Sequence, residues 1–290
     1  MTGVTLFGVP IDCVGEPVGT VRTPGVLRDA GVVDALGARD LGDLDVFLGP
    51  AERDPATGIV GSDSVLDLTR TVRSATADAL DDHGKLVVLG GCCTLQVGAM
   101  AGVRDRYPHA RLVFLDGHLD LYDGESSPGG EAADMPVAVL LGRGPQAWGE
   151  VVDAPVLGPA DVSLVGFRDH EEARDFGSIT PEDLPGITAI DTEGVRARGI
   201  ESTVAEVAPL GDDRRYWVFT DVDVLDPGEL SVDAPQPDGL HWSELTDLLR
   251  PLVHDPRCLG ITLACYNPDL DSDGSGARKV VDLLANVVPT

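Results

Sequence analysis

Short, nearly unbroken apolar runs alternate with stretches of helical spacing from one end of the chain to the other. The clearest runs are Val4–Val9, Leu86–Leu89, Arg111–Leu115, Val162–Phe167, Trp217–Thr220 and Leu259–Leu263. They do not alternate in polarity, which is the pattern of strands covered on both faces. Between them, Ser64–Asp81, Leu95–Arg106, Ser243–Leu252 and Gly276–Leu284 carry helical periodicity, with Thr94, Ser243 and Ser275 at expected N-cap positions. Alternating strand and helix over the whole length predicts a mostly parallel sheet with helices on both faces. There is no internal repeat and no composition shift typical of a linker, so residues 1–290 are expected to form a single α/β domain. Two long Pro/Gly-rich acidic segments, around Gly124–Gly130 and Pro227–Gly239, directly follow strands. That is where α/β proteins place functional loops.

Composition narrows the function. The chain has 290 residues, 21 Lys+Arg against 49 Asp+Glu, and a formal net charge of −28. Hydrophobic residues at 43% supply a core and rule out wholesale disorder. The cationic surplus that nucleic acid or an anionic membrane surface requires is missing. No apolar run approaches the ~20 residues of a membrane span, and the opening has no basic segment of a signal peptide. A soluble, cytoplasmic protein is expected. Five cysteines, Cys13, Cys92, Cys93, Cys258 and Cys265, make an odd count with an adjacent pair, which argues against a disulfide framework. Cys13 and Cys258 read as small buried hydrophobes.

The chemistry concentrates in two acidic motifs. Asp116, His118 and Asp120 fall at i, i+2 and i+4 directly after the run Arg111–Leu115, and extended chain would turn all three to one face. Asp221 and Asp223 repeat the i, i+2 spacing after Trp217–Thr220, and Asp226-Pro227 closes that element. Carboxylates and an imidazole converging at a strand end repel and desolvate one another unless a cation lies among them. The mixed oxygen and nitrogen set suits a divalent ion such as Mn²⁺ and is rich enough for two. The plainer alternative is a pair of solvated acidic strand ends in an Asp-rich chain.

At these motifs the chain resembles the arginase family of ureohydrolases, which includes agmatinase and formiminoglutamase relatives. Gly8-Val9-Pro10, the segment Pro24–Gly31, Gly90-Gly91-Cys92-Cys93-Thr94, Asp116–Asp120, Asp221–Pro227 and Asn267-Pro268 carry the likeness nearly end to end. The resemblance implies a three-layer α/β/α fold on an eight-stranded parallel sheet. It also implies a binuclear Mn²⁺ site whose bridging hydroxide attacks a guanidinium or amidine carbon. By carry-over, Asp116 and Asp221 bridge the ions, His118 and Asp223 complete one of them, and Asp120 binds the other and hydrogen-bonds the hydroxide. Relatives are often trimers or hexamers, so a homo-oligomer is expected by analogy.

Departures from the family pattern fall around this expected centre. Cys93 stands where the family has a metal-binding histidine; a thiolate is softer than Mn²⁺ prefers. That site is expected to be weak, to take a softer ion such as Zn²⁺, or to be empty, with simple packing of Cys93 at the strand end as the alternative. Cys265 replaces the glutamate that receives the guanidinium in arginases, and a neutral thiol cannot pair bidentately with that group. Tyr122 stands at a substrate-contacting position. The family's loop histidine aligns with Ala133, beside Asp134. Glu171 lies near the place where arginases hold an α-amino group, and His241 could supply a replacement imidazole, the alternative being an exposed helix-start residue.

Two functions remain open on this reading. The first is a metal-dependent hydrolase of a C–N bond in a guanidino or amidino small molecule, other than an ordinary arginase; an N-hydroxyguanidine is one candidate substrate. The second is a catalytically inactive relative acting as a binding or regulatory subunit. Nucleotide binding on a Rossmann-like sheet is excluded, because no Gly-x-Gly-x-x-Gly follows the first strand.

Overall fold

The computed structural model describes residues 3–14, 19–80, 84–208 and 211–289. Eight strands, all paired in parallel, form one sheet among the described residues. In chain order they are β1 (Val4–Val9), β2 (Arg39–Asp43), β3 (Lys85–Gly90), β4 (Arg111–Leu115), β5 (Val162–Val165), β6 (Thr188–Ile190), β7 (Tyr216–Asp221) and β8 (Cys258–Ala264). Their spatial order is β2-β1-β3-β8-β7-β4-β5-β6. Consecutive strands β3 and β4 are thus held apart by β8 and β7, which arrive from the far end of the chain.

Every residue of β3, β4, β7 and β8 is buried, as unbroken apolar runs require when both faces are covered. Successive side chains go to opposite layers. Phe7, Val88, Phe114, Trp217 and Phe219 pack with Val65, Leu68 and Val72 of the helix Ser62–Ala79. On the other face Leu6, Val87, Val113, Val218 and Ile261 meet Leu245, Leu249, Val280 and Leu284 of the helices Trp242–His254 and Ser275–Val287. Each large side chain so buried contributes about 1.5–3 kcal/mol. The two most buried indoles also satisfy their N–H groups: Trp217 donates to Thr262 Oγ1 at 3.0 Å and Trp148 to Thr69 Oγ1 at 2.8 Å. The result is the three-layer α/β/α arrangement expected from the sequence. No helix among the described residues is long and apolar enough to cross a membrane.

The sequence pattern misses the two edge strands. β2 is polar and largely exposed, and β6 has only three residues, so neither produces an apolar run. The expected N-caps are also corrected. Thr94 lies within a 3-10 turn, Cys93–Leu95, that leads into the helix Gln96–Arg106. Ser243 lies inside its helix, which begins at Trp242, and the carboxylate of Glu244 accepts the His241 N–H at 2.8 Å. Before Ser275 the capping position belongs to Gly274 in a left-handed conformation. The last two starts are set by a neighbouring carboxylate and a glycine, and the first by a preceding 3-10 turn, not by the hydroxyls. Asp81, the expected end of the helix beginning near Ser64, lies outside the described residues.

Candidate metal centre

The carboxyl ends of five adjacent strands, β1, β3, β8, β7 and β4, open on one cavity of about 600 Å³. Ligand sites of parallel α/β sheets lie at this edge. Among the described residues ten carboxylates line the cavity, with His118 as the basic side chain among them.

The two acidic motifs build their geometry by turning, and not by continuing the strands as the i, i+2 spacing suggested. β4 ends at Leu115, and Asp116 Oδ1 accepts the His118 N–H at 2.7 Å. β7 ends at Asp221, whose Oδ1 accepts the Asp223 N–H at 2.8 Å as a 3-10 turn begins. Aspartate side chains that bond the backbone two residues on create such turns. Because Leu115 pairs with Thr220 in neighbouring strands, the two turns stand side by side. Asp223 Oδ1 accepts the Gly117 N–H at 2.8 Å, and its Oδ2 lies 3.0 Å from His118 Nδ1. Arg168 braces the second turn by donating to the carbonyls of Asp223 and Val224 at 2.7 and 3.1 Å. Asp120 adopts φ 51, a left-handed backbone that a non-glycine residue enters at a cost of about 1–2 kcal/mol. Its carbonyl accepts the N–H groups of Val137 and Ala138 at 3.1 and 3.2 Å, which hold that conformation.

Electrostatics mark the same spot. Burial, then repulsion from Asp223, pushes the Asp116 pKa up to about 8. Burial and the Asp116 charge push Asp120 well up, and burial with Asp223 and Asp116 does the same to Asp221. Burial works against the charged form of His118, but Asp223 and Asp116 overcome it and raise its pKa. Asp116 Oδ2, Asp120 Oδ2 and Asp169 Oδ1 are buried without a hydrogen-bond partner. Uncompensated buried carboxylate oxygens carry a desolvation cost that a coordinated cation removes. Asp116, His118 and Asp223 each offer one ligand atom, all within 4.8 Å of one another. This oxygen and nitrogen set fits Mn²⁺.

The cysteine side of the cavity has different chemistry. Cys93 is buried and donates to the Ala133 carbonyl at 3.3 Å. Cys93, Asp221 and Cys265 form one group of donor atoms within 4.8 Å, and Cys13, Cys92 and Cys265 form another. Cys13 is therefore corrected from a packing residue to part of the cavity wall, whereas Cys258 is buried and bonds the Gly260 carbonyl as a core thiol. Burial disfavours a Cys92 thiolate, yet thiols donating from Cys13, Cys265 and Cys93 lower its pKa well below the usual value. Donation to Cys13, Cys92 and Cys93 raises Cys265. Sulfur donors of this kind do not fit Mn²⁺ well.

Tyr122, Asp134 and Cys265 line the cavity as expected. Asp134 Oδ2 accepts from Ser127 Oγ at 2.6 Å, and Ser127 Oγ accepts the Gly130 N–H at 2.8 Å, which ties the loop together. Glu171 and His241 are not brought to the site. On the short helix His170–Asp175, Glu171 faces a separate cavity while its neighbour Glu172 lines the central one. The exposed His241 ring points to Glu229, with Nδ1 2.9 Å from Oε1, at the start of its helix. A one-residue offset in a loose alignment selects the wrong face of a helix. The sequence reading missed Asp12, Asp169 and Asp233. Asp12 follows β1 and Asp169 follows β5 closely, so an acid just after a strand was the available signal. Asp233 accepts from Asn267 Nδ2 at 2.6 Å, a pairing across 34 residues that no local pattern announces.

Fold and site together define a three-layer α/β protein with an acidic crevice at the carboxyl edge of its sheet. Residues 2–288 match the model of the arginase family, and the chain belongs to that family of ureohydrolases. It is 26% identical to an arginase of Staphylococcus aureus (strain MRSA252), over 97% of this chain and 95% of that one. It is 28% identical to an arginase of Bacillus caldovelox, over 99% and 98%. The solved structure of a Bacillus caldovelox arginase superposes with a TM-score of 0.86 at 24% identity, covering 100% of this chain and 99% of the other. The proclavaminate amidino hydrolase of Streptomyces clavuligerus gives a TM-score of 0.71 at 21% identity, covering 99% and 90%. These likenesses confirm the family and the fold expected from the motifs.

Proposed function

We propose that this protein is a metal-dependent hydrolase that cleaves a C–N bond in a guanidino or amidino small molecule other than arginine. The observation that supports it most strongly is the convergence of Asp116, His118, Asp120, Asp221 and Asp223, with buried carboxylate oxygens lacking partners, in a cavity of substrate size. Asp116, His118, Asp221 and Asp223 would hold a divalent ion of the Mn²⁺ type. Such an ion supplies Lewis acidity, making water a competent nucleophile near neutral pH.

The chain's own groups do the rest. Asp120, whose buried Oδ2 has no partner, would accept a hydrogen from a nucleophilic water and orient it. Asp134, kept in place by Ser127, and Glu172 attract a delocalised cation such as an amidinium and hold it against the acidic wall. Tyr122 lines the same cavity. Cys265 offers a thiol where bidentate recognition of an arginine guanidinium would need a carboxylate, which argues for a different substrate head group. Cytoplasmic location and assembly into a homo-oligomer are part of the same proposal.

The test is ammonia and urea release from a panel of guanidino, N-hydroxyguanidino and amidino compounds by Mn²⁺-loaded protein, with metal content measured per chain. Turnover of a non-arginine member that is lost in His118→Ala supports the proposal. Absence of both metal uptake and turnover overturns it in favour of a non-catalytic binding subunit.

A further inference from the structure

We propose that Cys13, Cys92 and Cys265 form a separate tri-thiolate site for a thiophilic cation of the Zn²⁺ class, beside the carboxylate and histidine donors. The three Sγ atoms lie within 4.8 Å of one another, although the residues are 79 and 173 positions apart along the chain. Each follows a different strand end, β1, β3 or β8, so the sheet itself assembles them.

The backbone under the trio is tightly built. The Cys265 N–H donates to the Gly91 carbonyl at 3.1 Å, and the Gly91 N–H donates to the Val9 carbonyl at 3.0 Å. A Cβ on Gly91 would fall 1.7 Å from the Ile11 carbonyl oxygen, so only glycine lets the ends of β1 and β3 approach this closely. Cys265 itself sits at φ 65, a left-handed conformation that costs a non-glycine residue about 1–2 kcal/mol. Strain of that kind, held by a long-range hydrogen bond, belongs to positions whose side chain is aimed for a purpose.

Donor chemistry decides the ligand. Zinc–sulfur bonds of about 2.3 Å at tetrahedral angles put sulfurs about 3.8 Å apart, so the trio needs to contract by no more than about 1 Å to close on an ion. A disulfide would use two of three mutually close thiols and strand the third. Thiolates select soft or borderline ions over Mn²⁺, and the carboxylate-rich wall favours a cation over any anionic ligand. Binding replaces the thiol protons, which pass to solvent. Cys93, which shares a donor group with Asp221 and Cys265, lies alongside as a fourth sulfur. The site does not rest on the hydrolase reading, although Cys265 borders both the thiol trio and the substrate cavity.

The full-length chain, reduced with a phosphine, is titrated with Cd²⁺ and Co²⁺ and then with Zn²⁺ in competition. One ion per chain with a thiolate-to-metal charge-transfer band, displaced by Zn²⁺, is expected. Cys13→Ser and Cys265→Ser should weaken binding at least tenfold, while Cys258→Ser should not. His118→Ala should abolish Mn²⁺ uptake and keep the band, so the two metal proposals fail separately. If the cysteine variants do not fold, alkylation of the unmodified chain followed by mass spectrometry decides. Zn²⁺ should suppress labelling of the partly exposed Cys13 and Cys265 at least tenfold, and a chelator should restore it. No band, a band unchanged by Cys13→Ser, unprotected thiols, or a disulfide within the trio in metal-free protein each overturns the proposal.

Discussion

Asp120 combines a left-handed backbone, burial and a carboxylate oxygen without a partner. In metal-free protein it crowds Asp116 and Asp221, and burial with the Asp116 charge raises its pKa. Asp120→Asn removes that repulsion and gives the neighbouring carboxylates two N–H donors, so chelator-treated variant should melt several degrees above chelator-treated parent. The same change should lower kcat by about 10²–10⁴-fold, the range for loss of a positioned acid or base. Calorimetry and steady-state rates check the two halves, and a variant that melts lower without metal contradicts this account. Residue identity also shows what was legible from the chain. Asp116, His118, Asp221 and Asp223 were readable because each follows a buried strand at short spacing. Cys13 was not, because nothing local separates a core thiol from one that meets two others across the sheet.

At the scale of elements, the loop around Gly124–Gly130 depends on one side chain from far upstream. Arg53 donates to the carbonyls of Gly124, Ser127 and Pro128 at 3.0–3.1 Å. Arg53→Ala should loosen the loop that carries Ser127 toward Asp134, raising KM several-fold with little change in kcat; an equal fall in kcat would place Arg53 closer to the chemistry. Helix packing offers a second case. Gly98 and Gly102 let the helix Gln96–Arg106 press against Ser62–Ala79, and a Cβ on Gly102 would lie 2.4 Å from the Arg73 carbonyl oxygen. Alanine would normally gain about 1 kcal/mol over glycine in a helix. The clash is with backbone, so overpacking should outweigh that gain and Gly102→Ala should destabilise by about 1–3 kcal/mol, read from chemical denaturation. The core strands and these helices were legible from apolar periodicity. The edge strands β2 and β6 were not, since an exposed edge needs no apolar run.

For the molecule as a whole, the charge of −28 sets the conditions of stability. Self-repulsion of a net charge this large should be screened by salt, so the melting temperature should rise between about 0.02 and 0.3 M salt as the Debye length contracts. A melting temperature that falls over that range would show that attractive pairs dominate. Acid acts in the opposite sense through paired carboxylates. Hydrogen bonds from Arg214 lower the Asp212 pKa to about 2 from 3.8. A depressed carboxylate stabilises fully above its unfolded value and loses that contribution as pH falls from about 4 to 2. Asp212→Asn should therefore destabilise at pH 6 and flatten the pH dependence of stability below pH 4, measured by urea midpoints across that range.

The sequence by itself determined the layering of the fold, the parallel sheet and the acidic strand ends, because each follows from local periodicity or spacing. It also contained the substitutions at Cys93 and Cys265. Only the tertiary structure decided which acids and thiols share one cavity. β8 and β7 insert between β3 and β4, and this brings Cys265 and Asp221 between Cys92 and Asp116. The same structure turned Glu172 inward instead of Glu171 and left His241 outside. Proximity across a sheet depends on strand order, and strand order is a property of how the whole chain packs, not of any segment within it.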